Sequence, residues 1–430
     1  MTGFQEKDGV LHADGVSLSQ IAREVGTPVY VYSSGVIEDQ YKKLAGAFQK
    51  ALPKHRQPLI CFACKANSNV AVLNLLQGLG SGLEIVSEGE LRRGLKAGFK
   101  GEQIVSTGVG KSQSEIAQCL KAGILQLNVE SLPELEKINA VAAEVGIKAK
   151  VAFRLNPNVS GGGHSKISTG RKGDKFGIGI EVMEEAYARA SQMSHTEPVG
   201  LSMHLGSQVF EVAKFEEAFS KFPEIVKKLR AQGHSVKTLD IGGGFPIIYK
   251  DEQLLDLDAY AQWVNNIIVP LDTQIITEPG RYLVGGAGVI LSEVVFVKET
   301  ETKKHLIIDA AMNDLIRPAM YDSYHGVEPV QNRNAPWTTY DIVGPICETG
   351  DTFSQGREMQ SMKQGDLAVI KTAGAYGASM ASNYNTRPMA PEVMTKDGHY
   401  AVIRERQTYE EIIGRDIIPD WSSKKTKAAS

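Results

Sequence analysis

The chain has 430 residues with a formal net charge of -3, and 42% of its residues are hydrophobic. Its length favours two domains, and its interspersed charges exclude the basic surface that a nucleic acid or an anionic membrane requires. The absence of a long apolar run or an apolar signal core, together with only four cysteines, leads us to expect a cytoplasmic protein without a membrane partner.

Eight short apolar segments predict β-strands, and helical patterns lie between most of them. In residues 114–122 and 132–145, apolar residues recur every three or four positions, and Ser131 and Pro133 are typical of a helix start. Eight alternations predict an α/β fold, a (β/α)8 barrel, although a doubly wound open sheet alternates in the same way. The predicted strands are residues 59–64, 83–86, 104–107, 125–129, 151–155, 199–204, 239–241 and 275–277.

The pattern changes after Gly285, where strand-like segments follow one another with little helical periodicity between them. We predict a β-rich domain, a barrel or sandwich, formed by residues 1–32 and 286–430 beside a barrel over residues 33–285. The strand-like segments are residues 29–32, 289–297, 306–309, 340–343 and 367–371.

Polar residues follow the predicted barrel strands, at the end where barrels build their active sites. Lys65 follows the first strand, and we expect desolvation to lower the pKa of its ammonium and make it a Schiff-base nucleophile. Each of these residues also has a non-functional explanation: Lys65 as a solvated charge, His204 as a structural residue, and Glu278 as an ion-pair partner of Arg281. Together these explanations do not account for so many polar residues at one end of the barrel. The remaining strand-end residues are Glu84, Ser87, Glu90, Asn128, Glu130, Arg154, Asn156, Ser207 and Asp240.

Two glycine-containing turns predict a phosphate site. The Gly242-Gly243-Gly244 run lets backbone N–H groups approach an oxyanion, and Gly280 with Arg281 adds another donor beside a guanidinium. Both turns follow the last two strands, where barrels commonly bind phosphate.

A lysine nucleophile, a phosphate site, a histidine and a carboxylate together specify pyridoxal phosphate. Lys65 would hold its aldehyde and His204 would lie against its ring. Glu278 would keep the ring nitrogen protonated, which makes the ring an electron sink.

Three other motifs resemble those of other functional sites but do not match them. The segment from Gly108 to Ser112 ends like a P-loop but has Val105 where that motif needs glycine, and residues 78–82 precede their strand, unlike a dinucleotide-binding turn. Cys61 and Cys64, three positions apart on a strand, point to opposite faces, so we expect no shared metal and no disulfide.

Motifs along nearly the whole chain carry a strong resemblance to the diaminopimelate decarboxylase family of fold-type III, alanine-racemase-like pyridoxal-phosphate enzymes. They are residues 63–67 (ACKAN), 86–91 (VSEGEL), 128–131 (NVES), 154–157 (RLNP), 167–170 (ISTG), 175–177 (KFG), 204–208 (HLGSQ), 240–245 (DIGGGF), 278–281 (EPGR), 312–318 (MNDLIRP), 344–348 (GPICE) and 374–377 (GAYG).

The resemblance implies roles for individual residues. Lys65 would carry the cofactor and His204 would stack on its ring, while Cys347 would deliver the proton that replaces carbon dioxide. The other implied cofactor contacts are Ser207, Gly243, Gly244, Glu278, Pro279, Gly280, Arg281 and Tyr376. The implied substrate contacts are Arg281, Arg317 and Tyr321 at the distal carboxylate, Glu348 at the distal ammonium, and Tyr376, which would touch both cofactor and substrate.

The implied activity is decarboxylation of meso-2,6-diaminopimelate to L-lysine, the last step of lysine biosynthesis. In this family Cys347 and Glu348 would serve the partner subunit's barrel, which implies a homodimer with shared active sites. The distal end of this substrate is a zwitterion, and the opposite charges of Arg317 and Glu348 complement it.

Other functions remain open. A related decarboxylase could act on another basic or carrier-bound amino acid, and a racemase would need a tyrosine base, for which Tyr376 is available. A catalytically silent regulatory homologue would not need Lys65, His204, Glu278 and Cys347 together.

Overall fold

The computed structural model describes residues 3–159 and 173–421, so the motif at residues 167–170 lies outside the described residues. Its strands are β1 Phe4–Lys7, β2 Val10–Ala13, β3 Val16–Ser17, β4 Val29–Ser33, β5 Leu59–Ala63, β6 Gly82–Ile85, β7 Ile104–Ser106, β8 Gln126–Val129, β9 Ala149–Asn156, β10 Ile178–Gly179, β11 Thr196–Met203, β12 Thr238–Asp240, β13 Gln274–Thr277, β14 Gly288–Glu299, β15 Lys304–Ile308, β16 Val327–Pro329, β17 Trp337–Val343, β18 Thr352–Gln360, β19 Leu367–Ile370, β20 Glu392–Lys396 and β21 His399–Arg404.

The two helices with predicted bounds, residues 114–122 and 132–145, lie at Gln113–Lys121 and Leu132–Val145. Ser131 caps the helix that starts at Leu132 by accepting a hydrogen bond from the Glu134 backbone N–H, as its sequence position predicts. The helices are α1 Leu18–Val25, α2 Ser34–Ala51, α3 Val70–Gly78, α4 Glu88–Lys96, α5 Gln113–Lys121, α6 Leu132–Val145, α7 Met183–Gln192, α8 Val212–Phe219, α9 Phe222–Ala231, α10 Leu257–Ile267, α11 Arg281–Val284, α12 Arg317–Tyr321 and α13 Tyr409–Ile413.

Eight parallel strands close into a barrel, which confirms the predicted fold and excludes an open sheet. Their order is β5-β6-β7-β8-β9-β11-β12-β13, and β13 pairs with β5 through Ile276–Leu59 and Thr277–Ile60. Because all eight strands run in one direction, their carboxyl ends meet at one rim. The short strand β10 extends the sheet beside the end of β9.

A second, largely antiparallel sheet contains β14, which pairs with β4, β15 and β19. Its neighbours continue through β17 and β18 on one side and β20 and β21 on the other. The polypeptide therefore enters this sheet through β4, leaves it to form the barrel, and returns to it through β14. A further sheet of β1, β2 and β3 packs on it through Phe4, Ala13 and Val16.

None of the helices within the described ranges combines the length and the apolar character that crossing a lipid bilayer requires.

Candidate active site

A cavity of about 390 Å³ opens at the rim where the barrel strands end. It brings together Lys65 after β5, Arg154 on β9, His204 after β11, and Glu278 after β13. Segments far apart in sequence thus meet at one site, as their strand-end positions predict. Its other lining residues are Val86, Thr107, Gly108, Val109, Phe176, Ser202, Gly206, Ser207, Arg281, Arg317, Tyr321, Ser323, Tyr376 and Met380.

Lys65 lies in a short helical turn directly after β5, and its ammonium is 3.1 Å from the Glu84 carboxylate. Burial acts to lower its pKa, but the charge of Glu84 and the hydrogen bond to it outweigh burial, so the pKa of Lys65 is raised. The predicted lowering is therefore wrong for the chain without a ligand. Parallel pairing of β5 with β6 places Ala63 opposite Glu84, which brings this carboxylate to the lysine.

Lys111, the lysine of the P-loop-like segment, is buried in a structural role. Its ammonium donates to the carbonyl oxygens of Gly108 and Asn128 at 2.8 and 2.7 Å and to Glu134 at 2.7 Å. All three of its protons are thereby used. Lys111 ties the loop after β7 to β8 and α6, and it presents no free donor to a phosphate.

Glu278, which lines the cavity, forms a buried pair of carboxyl groups with Asp240. Asp240 accepts hydrogen bonds from the Gly242 N–H at 2.9 Å and from Asn128 at 3.0 Å, and these bonds favour its ionised form. Burial, together with the charges of Asp240 and Glu84, raises the pKa of Glu278 well above its usual range. Glu278 therefore holds the proton of the pair.

His204 is held in one orientation by the glycine turn. Its Nδ1 accepts a hydrogen bond from the Gly243 N–H at 3.1 Å, and burial with the charges of Arg154 and Lys65 lowers the pKa of the imidazole well below its usual range. The ring is therefore neutral and carries its proton on Nε2. A Cβ on Gly243 would lie 2.1 Å from the Glu278 carbonyl oxygen, so this close packing requires glycine.

The glycine run offers fewer free donors than its sequence suggests, because Gly242 and Gly243 already donate to Asp240 and His204. Gly244 has a φ of +106°, which favours glycine, and its carbonyl accepts from the Val209 N–H at 2.9 Å. Two of the three expected N–H donors thus stabilise the site instead of facing a ligand.

Arg281 and Arg317 are buried side chains that line the same cavity. Arg281 donates to Ser207 Oγ at 3.1 Å and to Tyr249 Oη at 2.6 Å, so it does not take the alternative partner Glu278. The Arg317 guanidinium carbon lies 4.7 Å from the centroid of the Tyr249 ring. Across residues 3–159 and 173–421, no carboxylate lies within ion-pair distance of either guanidinium. Two buried cations with neutral neighbours form a site for anions.

Tyr376 covers one side of this site. Its ring centroid is 4.7 Å from the Arg281 guanidinium carbon, and its backbone N–H donates to the Ala66 carbonyl at 2.8 Å. A φ of +57° is strained for a tyrosine, and such strain is often found at functional sites. The hydrogen bond to Ala66 connects Tyr376 to the turn that holds Lys65.

Cys347 and Glu348 lie apart from the cavity, among whose lining residues neither is found. Both are exposed on the loop between β17 and β18. Asp351 braces this loop by accepting from the Ile346 and Met312 N–H groups at 2.7 and 2.6 Å.

The sequence analysis did not identify four residues that support functional groups: Tyr249, Phe176 and His325 around the cavity, and Asp351 at the loop of Cys347. Phe176 packs on Arg154, whose guanidinium carbon is 4.8 Å from the ring centroid. Phe176 belongs to the 175–177 motif, so the resemblance could have found it. The other three act through long-range contacts, for which a single sequence has no periodic signal.

Known proteins are similar both to the barrel region and to the chain as a whole. Residues 37–285 match the family described as pyridoxal-dependent decarboxylase, pyridoxal binding domain. The chain is 44% identical over 420 residues to a diaminopimelate decarboxylase of Pseudomonas aeruginosa, covering 97% of this chain and 100% of the relative.

Two solved structures are similar over nearly their whole length. Diaminopimelate decarboxylase from Helicobacter pylori, complexed with L-lysine, has a TM-score of 0.87 and 39% identity, covering 92% of this chain and 98% of that one. The enzyme from M. jannaschii, in complex with L-lysine, has a TM-score of 0.91 and 37% identity, covering 97% and 98%.

Proposed function

The chain belongs to the pyridoxal-dependent decarboxylase family, and we propose that it converts meso-2,6-diaminopimelate into L-lysine and carbon dioxide. It is a carboxy-lyase that uses pyridoxal phosphate. The similarity to diaminopimelate decarboxylases extends over nearly the whole chain, and therefore includes the β-rich part that carries Arg317 and Cys347.

The residues present fit the cofactor. The cavity has a lysine at one strand end and a buried Arg281 at another, and Arg281 has neutral partners in Ser207 and Tyr249 that leave its charge available for a phosphate. When bound, pyridoxal phosphate supplies an electron sink for a carbanion at the substrate α-carbon. Lys65 would hold it covalently, with Ser207, Gly244 and Arg281 near its phosphate.

We assign two residues, His204 and Glu278, to contacts with the cofactor ring. His204 presents a neutral ring whose orientation is set by Gly243, so it can stack on the cofactor without adding charge. Glu278 carries a proton that it can share with a ring nitrogen, and the hydrogen bonds that Asp240 accepts favour leaving that proton on Glu278.

The observation that carries the substrate assignment is a second buried guanidinium, that of Arg317, in the cavity that Arg281 also lines. A diamino acid with a carboxylate at each end can place one amino-acid group at the cofactor and its second carboxylate at the distal guanidinium. Lysine, ornithine and arginine, bound with the α-carbon at the cofactor, would instead place their distal cation against Arg317. Repulsion would therefore exclude them.

We further assign the distal ammonium to Glu348 and the final proton transfer to Cys347, both contributed by the partner subunit in a homodimer. Their exposed position outside the chain's own cavity supports this arrangement. A thiol reaching a neighbouring rim could protonate the α-carbon after carbon dioxide leaves.

Product analysis tests the proposal. The protein is incubated with pyridoxal phosphate and, separately, meso-diaminopimelate, L-lysine, L-ornithine and L-arginine, and carbon dioxide and amines are measured. We expect L-lysine and carbon dioxide from meso-diaminopimelate and no comparable turnover of the other three. Equal turnover of lysine or ornithine would contradict the substrate, whereas a cofactor-loaded but inactive protein would indicate a silent homologue.

A further inference from the structure

His325 is fully buried and lies outside the cavity lining, yet it holds a guanidinium that lines the cavity. Its Nε2 is 2.8 Å from Arg317 Nη1, and its Nδ1 is 2.9 Å from the Lys371 carbonyl oxygen. Arginine can only donate and a carbonyl can only accept, so Nε2 accepts and Nδ1 donates. The contacts therefore select the neutral tautomer with its proton on Nδ1.

A positively charged His325 is incompatible with these neighbours. A second ring proton would point at the Arg317 N–H, and Nη1 of the guanidinium would lose its acceptor. Burial and the charge of Arg317 lower the pKa of His325 to about 3, which agrees with this geometry. The ring stays neutral at neutral pH.

The remaining contacts of Arg317 are neutral as well. Its Nη2 donates to Ser323 Oγ at 3.2 Å, and its guanidinium packs on the Tyr249 ring. Tyr249 also meets His325 edge to face, with ring centroids 5.4 Å apart. A carboxylate in place of His325 would orient the guanidinium but would also neutralise it. A neutral acceptor orients Arg317 and leaves its full charge for a ligand.

We infer that His325 is a positioning residue that orients Arg317 without neutralising it, and thereby sets the selectivity of the site for a ligand carboxylate. This inference rests on the proposed function, because it takes Arg317 as the group that receives the distal carboxylate.

Two probes that differ only at the carboxylate test the inference. L-lysine keeps the carboxylate and L-lysinamide replaces it with a neutral amide, and calorimetry measures the binding of each to the pyridoxal-phosphate-loaded protein. His325→Phe should weaken L-lysine binding by about tenfold or more and change L-lysinamide binding by less than about twofold, because only the carboxylate needs an oriented Arg317.

Two further variants separate orientation from charge. His325→Gln keeps a neutral acceptor and should stay within about threefold of the wild type for L-lysine. His325→Glu introduces a side chain of nearly the same size as glutamine, but its carboxylate forms an ion pair with Arg317. This variant should therefore lose L-lysine affinity as severely as His325→Phe. This Gln and Glu pair decides the question if the Phe variant fails to fold, and equal affinity of the two variants for L-lysine overturns the inference.

The matched control is His12→Phe, since His12 Nδ1 also bonds a backbone carbonyl, that of Val10 at 2.8 Å, on strand β2. It should leave both affinities unchanged. Equal loss of both ligands in His325→Phe would indicate a purely structural role and overturn the inference, as would undiminished L-lysine binding.

The proposed function can fail separately. A wild type that prefers L-lysine over L-lysinamide, with the predicted variant pattern, supports the role of His325 even if it does not decarboxylate meso-diaminopimelate. A wild type that decarboxylates meso-diaminopimelate but shows the contrary variant pattern overturns only the role of His325.

Discussion

At the scale of single residues, the two lysines that follow barrel strands differ in what surrounds their ammonium groups. Lys111 is buried and gives its three protons to Gly108, Asn128 and Glu134. Lys65 lines the cavity, and its Glu84 partner raises its pKa. A cofactor aldehyde can therefore reach Lys65 and cannot reach Lys111 without breaking a buried ion pair.

We predict that borohydride reduction of the pyridoxal-phosphate-loaded protein fixes the cofactor to Lys65, because this ammonium alone of the two faces the cavity. Peptide mapping by mass spectrometry locates the added pyridoxyl group. Lys65→Ala should abolish the label, while Lys111→Met, the matched control, should retain it in whatever fraction remains folded. A pyridoxyl group on Lys111 would contradict the assignment.

Glu278→Gln should lower turnover far more than cofactor occupancy. The carboxyl holds a proton in a buried pair with Asp240, and an amide cannot exchange that proton with a ring nitrogen. Turnover is compared with cofactor content measured by absorbance. Turnover equal to that of the wild type would show that the electron sink does not depend on Glu278.

Arg317→Met and Glu348→Gln should each cost about 2 to 4 kcal/mol in kcat/KM for meso-diaminopimelate, since each leaves one ligand charge without its charged partner. Steady-state kinetics give the ratio. Arg333→Met is a control for loss of a guanidinium outside the site, because Arg333 pairs with Asp366 and is not among the cavity-lining residues. Similar losses in the control and in Arg317→Met would contradict a specific role for Arg317.

At the scale of elements, two side chains hold the loop between β17 and β18: Asp351, and Asn385, whose Oδ1 accepts from the Cys347 N–H at 3.3 Å. Asp351 accepts two backbone N–H groups, from Ile346 and Met312, and its Oδ2 would lie 2.3 Å from a Cβ on Gly344. The second bond joins the loop of Cys347 to the segment that leads into α12. Asp351 therefore helps to set the position of Cys347 relative to the rest of the sheet.

Asp351→Ala should lower the free energy of unfolding by about 2 to 4 kcal/mol, because it leaves two buried N–H groups unpaired. Turnover of the folded fraction should fall as well, since Cys347 loses its support. Denaturant titration and kinetics measure the two effects. The control Asp366→Ala removes the acceptor of the Lys363 N–H in a turn outside the cavity lining, so it should reduce stability without changing turnover. Full turnover in Asp351→Ala would show that the loop holds its position without this carboxylate.

The elements also differ in how well local pattern predicts them. Helix α6 was predictable to its ends because the cap and the apolar period are both local. Strand β18, with the sequence TFSQGREMQ, has no apolar run, and its pairing with β17 along nearly its whole length makes it a strand. Strands β20 and β21 were missed for the same reason, since half-exposed hairpins depend on their neighbours.

At the scale of the whole molecule, the proposed homodimer predicts complementation between inactive chains. Lys65→Ala and Cys347→Ala chains, mixed equally, should form hybrid dimers in which one of the two sites has both residues. Half of the dimers are hybrids, so recovered activity should approach about a quarter of the wild-type level.

Mass spectrometry of intact dimers confirms subunit exchange in the same mixture. Two Lys65→Ala chains mixed after separate purification are the control and should recover nothing. Confirmed exchange without recovery would mean that Lys65 and Cys347 act within one chain.

The amino-acid sequence by itself determined the alternation of strands and helices in residues 59–277 and the identity of Lys65, His204 and Glu278 as strand-end residues, whereas the pairing of β13 with β5 decided that the sheet closes into a barrel. The alternation and the strand-end positions follow from apolar period, caps and the parallel direction of the strands, which are local or topological. Tertiary structure alone decided the raised pKa of Lys65 and the neutral support of Arg317 by His325. Both depend on the approach of side chains from separate segments, and electrostatic interactions change steeply with distance and burial, which no local pattern encodes.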